Sequence, residues 1–369
     1  MKVSLALLKQ ADRLAGCLVV SLLPRSVPRQ MREPLQAVLV IRPGGIGDAV
    51  LLVPALHALR KRFPGVAIDI LAERRNAGAF ALCPGLRSVN RYDIPTEFLS
   101  VLRSSYDVVI DTEQWHRLSA VVARIISADI RIGFRTNDRS RLFSHPSPYQ
   151  QDAYEADSFM GLLAPLGAAG EGEVDRPFLS VLPRDADTAA HLLAPVSGKP
   201  FVTLFPGASI AERRWGAERF AKLAEVLMQR GIGVVVVGGD SERATGSAVE
   251  SVGGLSLCGM TGLDGTAAVI KQSALLVSGD SGILHIAVGL GIPTVSLFGP
   301  GRAKKWAPRG ENHIVINKEL PCSPCTTFGY TPKCPIRARC MAEITVEEVE
   351  QAVLALLSRK KNGECEQKP

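Results

Sequence analysis

Val38-Leu39-Val40-Ile41-Arg42-Pro43-Gly44-Gly45-Ile46-Gly47-Asp48-Ala49-Val50 is the stretch on which the fold turns. Its first four residues are aliphatic and largely β-branched, the mark of a parallel strand buried on both faces. Pro43 to Gly47 break that strand into a glycine-rich turn, and an apolar helical pattern runs on to Arg62. Glycines at such a turn let the backbone approach a ligand closely, because no Cβ stands in the way. Asp48 falls where the helix begins. It is either an N-cap accepting backbone N–H groups or a carboxylate held at the mouth of a cleft.

Outward from this stretch the pattern repeats. Ala67–Leu71, Tyr106–Asp111 and Ile130–Phe134 read as strands, and Arg117–Ser127 and Tyr154–Leu166 as helices. Arg135–Gln151 is polar and contains proline, so it reads as a long loop. The alternation restarts at Pro200–Phe205, with further strands at Gly233–Val237, Leu275–Ser278 and, last, Thr294–Phe298. Helices are expected at Asp185–Leu193, Ala217–Arg230 and Glu242–Val252, after Gly279-Asp280-Ser281-Gly282, and at Val346–Leu357 ahead of a mobile charged tail. This order implies an α/β protein of two Rossmann-like units, each a parallel sheet covered by helices, with ligand loops at the carboxyl ends of the strands. The expected layout is an amphipathic extension (1–35), a first unit (36–180), a linker (181–199), a second unit (200–345) and a C-terminal helix and tail (346–369).

A chain of 369 residues is too long for one typical core, which agrees with two units. The formal charge of +7 suits an anionic substrate, an acidic membrane surface or nucleic acid. No dense Lys/Arg block is interleaved with aromatics, so nucleic acid is not expected as a partner. Cys17, Cys83, Cys258 and Cys365 are scattered, which is no secreted disulfide framework. Cys322-x2-Cys325-x8-Cys334-x5-Cys340 has the spacing of a tetrahedral thiolate site holding structural zinc or iron, or of four reduced packing thiols.

At the N-terminus, Leu14-Ala15-Gly16-Cys17 imitates a lipoprotein cleavage site. Lys9, Asp12 and Arg13 interrupt the apolar run that a signal peptide or a spanning helix needs. What is left is an amphipathic segment over Val3–Leu23, with Lys2, Lys9, Arg13, Arg25, Arg29 and Arg32 in or after it. It lies flat on an anionic leaflet or packs on the protein's own surface. Either way a cytoplasmic protein is expected, peripheral on the inner membrane in the first case.

The second half offers two anion cradles. Pro206-Gly207-Ala208-Ser209 follows a strand, and Asp280-Ser281-Gly282-Ile283 opens a helix. Arg213 and Arg214 lie between them, in reach of a phosphate. Asp240 stands after Val237-Gly238-Gly239, where an acidic residue accepts hydrogen bonds from a ribose. No GxxxxGK[ST] sequence is present, which excludes a P-loop nucleotidase, and Gly44-Gly45-Ile46-Gly47 is too compact for GxGxxG, which disfavours a dehydrogenase.

Three motifs together, Arg42 to Asp48, Pro206 to Ser209 with Arg213-Arg214-Trp215, and Gly279-Asp280-Ser281-Gly282-Ile283-Leu284-His285 with Phe298-Gly299-Pro300, resemble the family-9 glycosyltransferases, the ADP-heptose:lipopolysaccharide heptosyltransferases. The similarity runs in order from Val38 to Ile344. It implies a GT-B fold, with an acceptor domain first, a donor domain second and the site between them. By the same resemblance Asp48 is the general base of an inverting transfer of heptose from ADP-heptose, with Gly45 and Gly47 beside it on the acceptor side. The Pro206, Gly207, Ala208 and Ser209 loop, the amides at Ser281, Gly282 and Ile283, and a cation would stabilise the departing diphosphate. The family usually has lysine where Arg213 falls. Arginine keeps the charge but changes reach and geometry, and Arg214 is the other candidate contact.

The resemblance also puts Asp280 on sugar hydroxyls and His285 beside the diphosphate, unless His285 is a packed structural histidine. Asp240 and Met260 match ribose and adenine positions more loosely, Met260 otherwise reading as core packing. No Asp-x-Asp motif lies near the donor loops, so no cofactor is expected for the transfer itself. In the first half Asp111-Thr112-Glu113-Gln114-Trp115-His116-Arg117 follows a strand, making Asp111, Glu113 and Arg117 candidate acceptor ligands, or else a plain helix start. Arg131, Arg135, Arg139 and Arg141 crowd the next loop as a solvated face, or as a site for the carboxylates and phosphates of a lipopolysaccharide inner core, with Arg135 as the candidate ligand. The alternatives left open are another nucleotide sugar or acceptor on the same fold, or a nucleotide-sugar-binding protein without turnover.

Overall fold

The computed structural model describes residues 12, 16–27, 34–169, 176–327 and 330–366. The chain divides into two units, Met1–Val174 and Asp175–Pro369. In the first, β1 (Ala37–Ile41), β2 (Ala67–Ala72), β3 (Ser88–Arg91), β4 (Ser105–Asp111), β5 (Ser127–Phe134) and β6 (His145–Ser147) form a parallel sheet in the order β3-β2-β1-β4-β5-β6. In the second, β7 (Phe201–Phe205), β8 (Gly233–Val236), β9 (Leu255–Ser256), β10 (Leu275–Gly279), β11 (Thr294–Phe298) and β12 (His313–Asn317) form another, in the order β12-β11-β10-β7-β8-β9. Read from its other edge, the second sheet has the strand order of the first. In both, the crossovers leave the central pair in opposite directions, which opens a crevice at the carboxyl ends of β1 and β4, and of β7 and β10.

Apolar runs account for the inner strands. Val38 to Ile41 in β1, and Leu275, Leu276 and Val277 in β10, are buried on both faces, and each such side chain contributes roughly 1.5–3 kcal/mol. The strands at the four sheet edges are short, broken or only half-buried. β3 and β12 are only half-buried, β9 is two residues long, and β6 contains Pro146. Two expectations are corrected here. β12 follows Thr294–Phe298, which is therefore not the last strand, and Arg135–Gln151 holds a 3-10 turn (Asp138–Leu142) and β6 rather than one loop.

Within the stretch 181–199, the helix expected over Asp185–Leu193 is present as Pro183–Leu192. Helix Pro183–Leu192, with proline in its first turn, packs Ala189 and the following Leu193 against Phe201, Val235 and Val237. The C-terminal helix runs over Val346–Glu366, through residues expected to form a tail, and buries Val349, Val353 and Leu356 in the second unit's core. Residues 1–11, 13–15 and 28–33 of the expected amphipathic extension lie outside the described residues, as do Gly170 and Gly172. What is described is a short helix, Gly16–Leu22, whose Val20 enters the first unit's core.

Charge fixes the carboxyl end of β4. Asp111 and Arg139 are both fully buried and ion-paired. Arg139 also donates to the Glu113 carbonyl and, at 3.2 Å, to Ser119 Oγ, and lies 5.2 Å from the Phe143 ring centre. Burial raises the Asp111 carboxyl against the opposing pull of Arg139. Removing one member leaves the other charge buried alone. Arg139→Met is therefore expected to lower the unfolding free energy by about 3–5 kcal/mol in urea titration. Arg135→Met, at an exposed position, should stay within about 0.5 kcal/mol of the parent.

Candidate functional site

Two loops meet at the carboxyl ends of β1 and β4, and one arginine ties them. Arg42 leaves β1 with its side chain buried. Its Nε donates to the Pro43 carbonyl at 2.5 Å, its Nη1 to the Thr112 carbonyl at 3.0 Å, and its guanidinium lies 5.5 Å from the Phe159 ring centre. Nη2 faces two carboxylates, Asp48 Oδ2 at 3.6 Å and Glu113 Oε2 at 4.0 Å. Gly44 is required for two reasons. Its φ is +110°, and a Cβ there would stand 2.8 Å from Arg42 Nη2. The turn is held from the β2 side as well: Gly44 N–H donates to Glu73 Oε1 at 3.2 Å, and Asn76 Nδ2 donates to the Arg42 carbonyl at 3.0 Å.

Gly45, not Asp48, is the N-cap of helix Ile46–Arg62. Asp48 sits in the first turn, where the helix dipole favours a carboxylate, and its side chain remains 27% exposed. Glu113 is more enclosed. Its Oε1 accepts the backbone N–H groups of Trp115 (3.0 Å) and His116 (3.3 Å). Burial acts to raise its carboxyl, but Arg42, His116 and Arg139 outweigh it and hold the group below the usual range. Tyr149 donates to Glu155 Oε2 at 3.2 Å, and Gln114 Nε2 donates to Glu155 Oε1 at 2.5 Å. Burial, with the charges of Glu155 and Asp48, pushes the Tyr149 phenol far up, so it stays protonated.

Arg42, Tyr149 and Glu155 thus join Asp48 and Glu113 without having been singled out in sequence. A cation set directly against four apolar strand residues is a legible sign of a buried charge needing acceptors. Tyr149 and Glu155 reach the site from distant segments and carry no local sign.

The other acceptor candidates have partners of their own within the first unit, except Arg135. Asp111 is sealed in the pair with Arg139, with neither side chain exposed. Arg117 donates through Nε to Asp138 Oδ1 at 2.6 Å. Arg131 donates to the carbonyls of Ala123, Ile126 and Ala128, closing the end of helix Arg117–Ile125. Arg141 donates to the Leu23 carbonyl at 3.4 Å. Of the arginines in the stretch 135–151, Arg135 is the exposed one.

In the second unit the matching crevice gathers the donor candidates. Pro206 and Gly207 are buried and Ser209 is exposed in the loop after β7. Arg213 Nη1 lies 3.1 Å from Asp280 Oδ2, with both side chains largely covered. Arg214 turns outward and donates to the Ala208 carbonyl at 3.4 Å. Burial raises the Asp280 carboxyl, opposed by Arg213. A Cβ at Gly301 would fall 2.1 Å from Asp280 Oδ2, so the loop after β11 needs glycine there. Ser281 caps helix Gly282–Gly289 by accepting from Leu284 N–H at 3.2 Å, and Ser278 Oγ lies 2.9 Å from Ser281 Oγ. Ile283 is buried behind them. An arginine, a helix start and a buried carboxyl together suit a phosphate bearing a sugar.

Asp240 and Met260 stand outside that group. Asp240 is 85% exposed and accepts from Arg243 Nε at 2.9 Å. Met260 is 59% exposed, so the expectation of core packing is corrected. The cysteine loop lies against the turn after β11, where Cys325 and Thr326 N–H donate to the Pro300 carbonyl at 3.1 and 2.9 Å. Its thiols run from exposed Cys322 to Cys340, which is buried in the apolar core. Burial raises both Cys325 and Cys340, and the neighbouring thiols raise them further. Among the described residues no three His, Cys, Asp or Glu side chains are set to hold a metal ion, which gives the expected zinc or iron site no support.

His285 is buried, its Nδ1 has no hydrogen-bond partner, and burial pushes its pKa down to about 4. It is a neutral imidazole at pH 7 and brings no positive charge to a diphosphate. His313 is also pushed down to about 4, by burial and then by Arg176. The unfolded chain takes up these protons near pH 6.5 and the folded chain only near 4. Stability is therefore complete above pH 6.5 and lost as pH falls towards 4. Each histidine is expected to contribute up to about 1.4 kcal/mol per pH unit across that window. Urea titrations between pH 7 and 4.5 check this, and His285→Gln should flatten the slope.

The profile of glycosyltransferase family 9 (heptosyltransferase) matches residues 97–333. The chain is 24% identical over 306 residues to lipooligosaccharide heptosyltransferase 2 of Haemophilus influenzae, covering 76% of this chain and 88% of that protein. It is 26% identical over 327 residues to lipopolysaccharide heptosyltransferase 1 of Pseudomonas aeruginosa, covering 80% and 88%. Its fold is similar to the solved structure of E. coli ADP-heptose lps heptosyltransferase II, with a TM-score of 0.73 at 22% identity, covering 88% of this chain and 100% of that one. That likeness shows the GT-B fold, two Rossmann-like units in one chain. With more than half its length matched by the profile, the chain belongs to glycosyltransferase family 9, the heptosyltransferases.

Proposed function

We propose that this protein transfers heptose from ADP-heptose to an inner-core sugar of lipopolysaccharide, with inversion, at the cytoplasmic face of the inner membrane. In this reading Met1–Val174 takes the acceptor and Asp175–Pro369 the donor. The observation that carries it is the state of Asp48: a carboxylate in the first turn of a helix, 3.6 Å from a buried guanidinium and still 27% exposed. Exposure leaves it open to an incoming hydroxyl, while Arg42 limits where it points.

Asp48 takes the proton of the acceptor hydroxyl as that oxygen bonds to the anomeric carbon. The bond from this carbon to the diphosphate oxygen breaks, and ADP leaves with the electron pair. One base on the face opposite the leaving group is enough for inversion. The charge gathering on the diphosphate is met by Arg213, the Ser209 loop and the N–H groups at the start of helix Gly282–Gly289. Asp280 holds heptose hydroxyls and, through its contact with Arg213, sets the direction of that cation.

The test is ADP release from ADP-heptose with a core oligosaccharide as acceptor. The parent protein is expected to release ADP, and Asp48→Ala to lose about 10²–10⁴-fold in kcat with ADP binding kept. An unchanged rate in Asp48→Ala removes this residue from the chemistry. Turnover with UDP- or GDP-sugars and none with ADP-heptose overturns the donor.

A further inference from the structure

We infer that the first unit carries a built membrane-docking face, an apolar ridge with a basic rim formed by helix Gly16–Leu22 and the end of helix Arg117–Ile125, and that its occupant is an anionic lipid leaflet. The inference deepens the proposed function, since an acceptor linked to lipid lies in such a leaflet, but its geometry stands on this unit alone.

The short helix has two apolar faces. Val20 is fully buried in the core cluster that also holds Tyr106, Ala120 and Ala123. Leu18 and Leu22, one turn apart and so on a shared face, are 63% and 75% exposed. Val27 and Ile125 are exposed as well. Arg124 Nε donates to the Pro24 carbonyl at 3.1 Å, which brings the end of helix Arg117–Ile125 against the segment that follows Leu22. Ten large hydrophobic side chains are exposed among the described residues, and four of them, Leu18, Leu22, Val27 and Ile125, lie on the two segments that this hydrogen bond joins. Single exposed apolar residues are ordinary, but a cluster marks a surface that meets something.

The rim decides the occupant. Arg25 is exposed beside the ridge, the Arg124 side chain borders it, and the chain as a whole carries a formal +7. That charge complements an anionic leaflet. Among the described residues no helix is long and apolar enough to cross a membrane, so contact is by lying on the surface.

The face is also rigid. Ser26 N–H donates to the Arg141 carbonyl at 3.0 Å, and Asp12 Oδ1 accepts from Leu118 N–H at 2.7 Å. Asp12 Oδ2 stands 3.5 Å from His116 Nδ1, so the docked segment grips the loop that carries Glu113. Docking therefore sets the tilt of that loop over the leaflet.

The test is sedimentation of the full chain with vesicles of phosphatidylethanolamine and phosphatidylglycerol, against vesicles of phosphatidylcholine alone. The parent should bind the anionic vesicles, and added salt should weaken binding by about fivefold for each basic residue engaged. Leu18→Glu/Leu22→Glu should lose at least about tenfold in partitioning. Ile125→Glu, on the other element, should lose about fivefold. All three sites are exposed, so melting temperatures should match the parent. Unchanged binding by the double variant overturns the proposal, and so does an unaffected Ile125→Glu beside a crippled double variant. A parent that ignores vesicles but forms a dimer split by Leu18→Glu/Leu22→Glu assigns the face to a second copy. Transfer to a soluble oligosaccharide without lipid is read separately: its absence sinks the transferase reading and leaves the docking result standing.

Discussion

A guanidinium buried beneath a glycine turn sets the terms for the first unit. Arg42 brings five N–H donors and a fixed charge into the protein interior, and neither is tolerated there without acceptors. The carbonyls of Pro43 and Thr112 take part of the demand, and Asp48 and Glu113 answer the charge. These partners come from two different loops, so satisfying one side chain fixes the loops to each other. The residue two places on has to be glycine because the guanidinium occupies the space of its Cβ. Such a buried pairing adds little net stability against an apolar replacement, but it leaves few alternative arrangements. Here the chosen arrangement keeps one carboxylate accessible.

The second unit uses the same strand order for a different end. Its central crevice again holds an arginine against a carboxylate, Arg213 against Asp280. The balance of exposure is reversed. Asp48 is the more open member of its pair, whereas Asp280 is more covered than Arg213. An open carboxylate suits proton removal, and a covered one with a cation at its side suits holding hydroxyls next to a phosphate. One topology thus sets an arginine against a carboxylate twice and changes which partner meets solvent.

How much of this was legible follows from where each signal resides. Central strands are rich in aliphatic residues, so β1, β2, β4, β5, β7, β8, β10 and β11 are plain in the residues themselves. Edge strands need no such enrichment: β3 and β6 are mostly polar, β9 is two residues long, and β12 is only half-buried although it carries Ile314-Val315-Ile316. The glycine turns and helix starts at Gly45 and Ser281 are local features, and the chain marks them clearly. Roles that depend on distant partners are not marked. Asp111 and Glu113 are two residues apart in one loop, yet one is sealed by Arg139 and the other faces Arg42. Likewise, Arg131, Arg139 and Arg141 look like a solvated basic face until the carbonyls and carboxylates that claim them are in view.

The unremarkable edge strands have a consequence of their own. An exposed sheet margin is a template on which a neighbouring molecule can add a strand, and crowding at any surface raises the odds of that event. Here β9 offers only two residues, and β6 lacks one backbone N–H through Pro146. The same features that make these margins hard to recognise deny a second chain the row of donors it would need to fuse two sheets into a fibre.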